Sequence, residues 1–431
     1  MLAHRGACYF PAMVAAQKSP DPWFALPWEA IAVHYSEIAL KGENRGWFIE
    51  TLRRNLVRAL GDLSSKTTRH HGYLLVHPAP NRLREALEAA AQVMGVAFVA
   101  PIRRIGADME TLAQTGIGTY RAVAGEGASF SVRARGMGGV TGMKSMELQR
   151  RIGAQIQQAT GAPVDLETPD VPIQFRAYDE VVFLTGPRFD GPLGLPVGVS
   201  GRVLTLFSGG IDSPVAAWLM LRRGCITDFF HVHSFGSAEK VLESKIVPLI
   251  EKILAPQNIA ARLFLVPYDV FQIALLGARV NPSLEVALFR RFIVRVASRI
   301  AAAHGHLALV TGDNIGQVAS QTLEGIASTD DVAERPMLRP LVTCEKQEIV
   351  ALAERIGTFE LATQDYRDCC SLAAKRPATR PRLQAVREAE ATFDAERVAD
   401  RAIEGMAVWK IAPGQPPEPI ALKKTVEPAE L

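Results

Sequence analysis

Two short stretches of this 431-residue chain carry residue types that could do chemistry. The first is FSGGIDSPVAAW at 207–218, directly after the apolar run VLTL at 203–206. Gly209 and Gly210 allow close backbone approach, and Ser208 and Ser213 add hydroxyl donors. A Gly-rich turn between a buried strand and a helix presents amide N–H groups at the helix N-terminus, where they and the helix dipole favour phosphate oxygens. Asp212 is an acid among anion-binding groups, which calls for a cation, and magnesium is the expectation. The loop has no P-loop lysine and matches neither GxxxxGK[ST] nor GxGxxG. A plain strand-to-helix turn capped by Asp or Ser is the competing reading.

The second stretch is DYRDCCS, with Cys369 and Cys370 side by side and Lys375, Arg376 and Arg380 following. Nearby positive charge lowers a thiol pKa and favours thiolate, the attacking form. Adjacent cysteines are poorly placed for one tetrahedral metal, so a redox role is the sharper reading and a pair of buried small apolar residues the blander one. His231 and His233 alternate with Val232 on one strand, which is an ordinary structural pattern, and no metal site is read from them.

Positioning these groups requires a scaffold. From Arg202 onward, short apolar strands alternate with helices: RVLTLF, CITDFFHVHS, ARLFLVPY and LALVTG against helices over 213–224, 240–254 and 283–305. That alternation predicts an α/β, doubly wound parallel sheet, with ligands held at the C-terminal strand ends. Before it lie two smaller α+β sets, over about 28–95 and 96–188, and a Gly/Pro-rich linker at 186–201. ASFSVRARG at 128–136 alternates Phe130, Val132 and Ala134 with Arg133 and Arg135, a strand with one basic face.

Composition bounds the rest. Hydrophobic residues make up 48% and charged residues 22%, ordinary for a globular protein, and the net charge of +3 restricts any nucleic-acid surface to a local patch. Five cysteines without a CxxC pair argue against a disulfide scaffold and a structural zinc site, and predict a cytoplasmic protein. No uninterrupted apolar run is long enough for a membrane span. Residues 1–28 read as an N-terminal extension without a signal-peptide core.

SGGIDS resembles the PP-loop of the ATP pyrophosphatases, which cleave ATP between the α- and β-phosphates and place AMP on a carbonyl oxygen. LPVGVSGRVLTLFSGGIDSPVAAW, TGDNIGQVASQTLEGI (311–326), LRPLVTCEKQEIVALAERIGT (338–358), DCCSLAAKRPATRP (368–381) and HYSEIALKGENRGWF (34–48) are together similar to the tRNA 4-thiouridine synthase family, in order across roughly 29–395. The resemblance implies a ferredoxin-like domain at 29–82, a THUMP RNA-binding domain at 83–188, a linker at 189–201, a PP-loop domain at 202–400 and a C-terminal tail at 401–431. It implies ATP, with Mg2+, and tRNA uridine 8 as substrates of a sulfur transfer, and a link to thiazole synthesis for thiamine. The ATP positions it implies are Leu206, Phe207, His231, Val232, Arg290, Gly312 and Gln321, besides the loop residues Ser208, Gly209, Gly210, Asp212 and Ser213. Cys370 aligns with the family's sulfur carrier; Cys369 is the alternative carrier, and Cys369, Cys225 and Cys344 are candidates for the resolving thiol. The expectation is a form without the rhodanese domain of some members, with a cysteine desulfurase or a separate sulfur carrier as partner; a homodimer is one option for assembly.

On the same motifs, Lys41, Arg45, Arg53, Arg54, Arg133, Arg135, Lys144, Arg150 and Arg151 read as phosphate contacts that hold tRNA by shape, against solvated helix faces as the bland reading. Two other function classes compete: an amidotransferase-like or NAD-forming ligase, which would use ammonia and not need Cys370, and a tRNA-binding protein without catalysis, which would form no AMP.

Overall fold

The computed structural model describes residues 21–178, 180–318, 321–366, 369 and 377–421. Cys370, Lys375 and Arg376 lie outside the described residues, as do residues 1–20 of the expected extension. The chain divides into two compact units between Pro196 and Val197.

The N-terminal unit is built on one eight-stranded sheet. Its strands are β1 (Ala30–Tyr35), β2 (Ser64–His70), β3 (Tyr73–Pro78), β4 (Val96–Ile105), β5 (Phe130–Arg135), β6 (Val171–Tyr178), β7 (Val181–Thr185) and β8 (Phe189–Asp190). The order is β2-β3-β1-β4-β7-β6-β5, with β8 also on β4. β4 therefore joins the ferredoxin-like and THUMP halves, pairing with β1 on one side and β7 on the other.

The expected boundary at 82/83 falls inside a packed core. Helix Leu83–Ala90 buries Ala86, Leu87 and Ala90 with Ile31, Leu52 and Leu56, so it completes the first module rather than starting the second. The expected extension also ends earlier: Trp23 is buried with Leu112 and Ile117, and the Trp28 indole donates to its carbonyl at 2.7 Å. Nor is the Gly/Pro-rich stretch a free linker. The Leu193 amide donates to the Val96 carbonyl at 2.9 Å, and a Cβ on Gly191 would lie 2.3 Å from that oxygen, so the glycine marks close docking on β4.

The C-terminal unit has strands β9 (Arg202–Leu206), β10 (Ile226–His233), β11 (Ala261–Pro267), β12 (Ala308–Val310), β13 (Met337–Leu338), β14 (Ala407–Ile411) and β15 (Glu418–Pro419), in the order β13-β12-β9-β10-β11-β14-β15. β13 to β11 are parallel; β14 and β15 add antiparallel. The expected tail is thus part of the fold, since Val408 and Ile411 are buried and β14 extends the sheet edge. The helix predicted over 240–254 is two: Glu239–Leu242 and Ile246–Leu254. Pro248 cannot supply an amide in a helix interior but is tolerated in a first turn, so the helix restarts just before it. The chain runs from β9 to β10 and β11 on one side, then returns to β12 on the other. This reversal opens a crevice beyond the C-terminal ends of β9 and β12.

Candidate functional site

The SGGIDS loop lies at that crevice. It leaves β9 and enters helix Asp212–Arg222, with Pro214 in the first turn. Gly209 has φ +80°, and a Cβ there would meet Ile246 Cδ1 at 2.6 Å, so both conformation and space demand glycine. The Ser208 amide donates to Ser213 Oγ at 3.2 Å, and the Gly210 amide to Ser208 Oγ at 3.3 Å, which shapes a compact turn.

Gly312, two residues past β12, packs against the loop: a Cβ would sit 2.9 Å from the Asp212 carbonyl carbon and 3.0 Å from the Ser213 nitrogen. The two strand ends at the switch point are therefore packed directly together. Asp212 is held from across the crevice, where Lys346 Nζ reaches Oδ1 and Gln317 Nε2 reaches Oδ2, each at 2.9 Å.

A cleft beside the loop is lined by Leu206, Phe207, Ser208, Phe230, His231, Val232, Phe289, Ile293 and Cys369. Five of the expected nucleotide positions, Leu206, Phe207, Ser208, His231 and Val232, thus share one cleft with a cysteine of the second motif. Cys369 is buried, and its Sγ donates to the Val232 carbonyl at 3.4 Å. His231 is buried too, and burial pushes its imidazole down to about 4, against the opposing effect of the Phe207 carbonyl. It is neutral at physiological pH. His233 is buried on the same strand, which supports the structural reading of the pair.

Arg290 does not stand alone facing the crevice. Its Nη2 contacts both carboxylate oxygens of Asp313 at 2.8 and 2.7 Å, and Arg339 Nε reaches the same carboxylate at 3.3 Å. Burial pushes the Asp313 carboxyl up, but Arg290, then Thr311 and Arg339, outweigh it and hold it below its ordinary value. Gln321 precedes helix Leu323–Asp330 rather than lying on it, and its side-chain carbonyl is buried without a hydrogen-bond partner, as is that of Gln317. Such orphaned atoms suit a site that receives a polar ligand. A second cavity, of about 520 Å3, includes Asn314, Gln317, Thr343, Cys344 and Lys346 in its lining.

Among the described residues, no group of three or more His, Cys, Asp or Glu could hold a metal ion. The loop carries one carboxylate, Asp212; magnesium commonly uses one or two carboxylates and fills its octahedron with phosphate and water. The residues fit that mode and no all-protein cage.

The cysteines separate. Cys225 precedes β10 at the opposite strand edge, about 20 Å from Val232 at the usual rise per residue, too far to resolve a disulfide at the cleft. Adjacent residues hold their α-carbons about 3.8 Å apart, inside the usual lower limit of about 4.4 Å for a disulfide, which also makes Cys369 a strained partner for Cys370. Cys344 is buried at the second cavity.

Lys346, Gln317, Asp313, Arg339, Lys245 and Tyr366 were not singled out from sequence. One signal was available for Lys346. A cation in the first turn of helix Lys346–Arg355 opposes the helix dipole, and the Glu345–Glu348 capping box does not explain it.

A PP-loop turn at a parallel-sheet switch point, with a cysteine in the adjoining cleft, defines the nucleotide-dependent α/β class. The match to family models is specific. Residues 198–395 match the family described as thiamine biosynthesis protein (ThiI), residues 30–100 the ThiI ferredoxin-like domain and residues 118–185 the THUMP domain. A probable tRNA sulfurtransferase of Caldanaerobacter subterraneus subsp. tengcongensis is 33% identical over 375 residues, covering 86% of this chain and 97% of that one. One of Thermus thermophilus is 36% identical over 386 residues, covering 89% and 94%. A crystal structure of a 4-thiouridine synthetase–RNA complex with bound ATP superposes with a TM-score of 0.77 at 30% identity, covering 89% of this chain and all of the other. The chain belongs to the ThiI family of tRNA sulfurtransferases. Among its described residues, no helix is long and apolar enough to cross a membrane.

Proposed function

We propose that this protein makes 4-thiouridine at position 8 of tRNA in two half-reactions, both served from the crevice beyond β9 and β12. In the first, uridine O4 attacks the α-phosphorus of ATP, pyrophosphate leaves and the N3 proton is lost. The base is then an O4-adenylated uridine, whose AMP is a far better leaving group than a carbonyl oxygen. The Ser208–Ser213 turn holds the pyrophosphate with amides and hydroxyls. Leu206, Phe207, His231 and Val232 hold the adenosine, and Arg290 and Gln321 complete the nucleotide site. Asp212 and Lys346 act at the leaving pyrophosphate; Asp212 would also hold magnesium, which supplies charge neutralisation of the phosphates.

In the second half-reaction, a Cys370 persulfide loaded by a cysteine desulfurase or a separate carrier attacks C4. AMP departs, and a sulfur bridge joins Cys370 to the base. A second thiolate cleaves that bridge, releasing 4-thiouridine and leaving a disulfide that an external dithiol reduces. The distances above argue against Cys225 and Cys369 for this step, which leaves Cys344 or an external thiol.

The observation that carries the reading is Cys369 in the cleft formed by Leu206, Phe207, His231 and Val232, one peptide bond from Cys370. tRNA is held chiefly by the N-terminal unit through Lys41, Arg45, Arg53, Arg54, Arg133, Arg135, Lys144, Arg150 and Arg151. A cytoplasmic site of action, a homodimer and sulfur supply for thiamine thiazole belong to the same reading, the last supported by the family description. The test is incubation with ATP, bulk tRNA, cysteine and a desulfurase, followed by nucleoside analysis. Thiolated uridine that requires all four is expected. Ammonia-dependent product, or tRNA binding without AMP, would replace the reading by one of its competitors.

A further inference from the structure

Three contacts tie the wall of the cleft to the chain that leads into the cysteine pair. The first runs through His231, whose Nδ1 lies 2.7 Å from the Phe207 carbonyl and whose Nε2 lies 2.7 Å from the Tyr366 hydroxyl. A carbonyl can only accept, so Nδ1 carries the proton, Nε2 is the acceptor and Tyr366 donates. The second is Lys245, whose Nζ donates to the carbonyls of Ala362 at 2.7 Å and Gln364 at 2.6 Å and stands 5.6 Å from the Tyr366 ring centre. Its stem runs beside the phosphate-binding turn: a Cβ on Gly209 would lie 3.7 Å from Lys245 Cε. The third is the Cys369 thiol on the Val232 carbonyl. His231 and Val232 belong to the cleft wall, Lys245 flanks the turn, and every tethered group falls within residues 362–369.

From this juxtaposition we infer that Tyr366 and Lys245 are positioning residues of the sulfur-transfer step, keeping the segment that ends in Cys369–Cys370 in register with the cleft where uridine is activated. The inference rests on the reading that Cys370 carries the sulfur. Its physical basis is the steep dependence of rate on placement: a shift of about 1 Å at a reacting centre costs on the order of 100-fold. Adenylation uses the turn and the nucleotide site and does not need the tethered segment. Free sulfide, which can attack the activated carbon without a protein carrier, does not need it either. Loss of a tether should therefore appear in one half-reaction only.

The test uses full-length Tyr366→Phe and Lys245→Met, with Lys245→Arg as the conservative variant. Three readouts are compared: tRNA-dependent AMP formation with its KM for ATP, 4-thiouridine formed under desulfurase supply, and 4-thiouridine formed from sulfide. Desulfurase-fed thiolation is expected to fall about tenfold or more in Tyr366→Phe and Lys245→Met, while the other two readouts stay within about threefold. Lys245→Arg should recover most of the loss. Unchanged desulfurase-fed thiolation in both variants would overturn the inference. So would a parallel loss in all three readouts, which would assign the residues to nucleotide binding or to the fold. Cys370→Ser, run alongside, keeps the two levels apart. If it thiolates fully from the desulfurase, the sulfur-carrier reading fails and takes the inference with it. If it is inactive there while Tyr366→Phe and Lys245→Met are not impaired, the positioning role alone fails.

Discussion

The two units use charge in opposite ways. In the C-terminal unit arginines are turned inward and met by acids. Asp228 is fully buried and takes Arg262 at 2.7 Å, Arg202 at 2.9 Å and His306 at 2.9 Å. Arg291 is buried between Asp331 at 2.9 Å and Glu390 at 2.7 Å. In the N-terminal unit the cations are turned outward. Arg133, Arg135, Lys144, Arg150 and Arg151 are exposed, and several of the unit's ion pairs are one helical turn long, as in Arg53–Glu50 and Arg151–Glu147. Inward pairs fix a geometry, which a reaction at one atom needs. Outward cations on flexible stems add little stability but offer counterion release to a polyanion. The contrast teaches that one chain separates a rigid chemical unit from an adaptable electrostatic one.

The largest effect that could break this contrast lies at the phosphate-binding turn. Asp212→Asn keeps the shape and removes the charge that meets Lys346. tRNA-dependent AMP release should fall by about 100- to 1000-fold, the scale typical of a lost electrostatic contact at a transition state. Release at the wild-type rate would remove Asp212 from the mechanism.

Next comes the buried network. Asp228→Asn removes the buried negative charge shared by Arg262, Arg202 and His306, turns one of the two oxygens into a donor, and should cost about 3–5 kcal/mol in urea unfolding. Burial pushes the Asp228 carboxyl up, but His306 and Arg262 outweigh it and hold it far below its ordinary value. Its stabilisation is thus fully present above the unfolded-state value near 4 and is lost only in strong acid. A cost below about 1 kcal/mol would place this pair among the surface bridges.

The outward cations predict a smaller and differently shaped effect. Replacing Arg133 and Arg135 together by Ala should reduce the slope of log affinity for tRNA against log salt by about two, with AMP formation at saturating tRNA preserved. An unchanged slope would mean that this face of β5 does not meet phosphate.

The smallest effect concerns pH. The folded His231 titrates near 4, below its unfolded value of 6.5, so its contribution is complete above about pH 6.5 and is lost as pH falls towards 4. Against His231→Gln, wild type should lose about 1 kcal/mol more between pH 8 and pH 6. Identical pH dependence would show that the imidazole is not held neutral.

Local motifs made much of the site legible in sequence. SGGIDS is contiguous, and the resemblance implied Leu206, Phe207, His231 and Val232, which lie on strands that the apolar runs mark. Lys346, Lys245 and Tyr366 were not legible because their partners are distant in the chain: Lys346 meets Asp212 across 134 positions, and Tyr366 meets His231 across 135. The outer strand β14 was hidden for another reason. AVWKI is short, mixed in polarity and lies at the sheet margin, so it lacks the continuous apolar run that betrayed β9 to β12. Gly191 and its neighbours read as a linker because glycine marks both looseness and close packing, and only the Val96 carbonyl beside it decides between them.

The most direct measurement of the central claim is the product of Cys370→Ser, since activation and sulfur delivery should separate in that one variant. Serine keeps the volume and removes the carrier sulfur. With ATP, tRNA, cysteine and a desulfurase, the variant should bind both substrates and form adenylated tRNA but no 4-thiouridine, and free sulfide should partly restore the thiolated base. Full thiolation under desulfurase supply by Cys370→Ser, by Cys369→Ser and by the double variant would contradict the account.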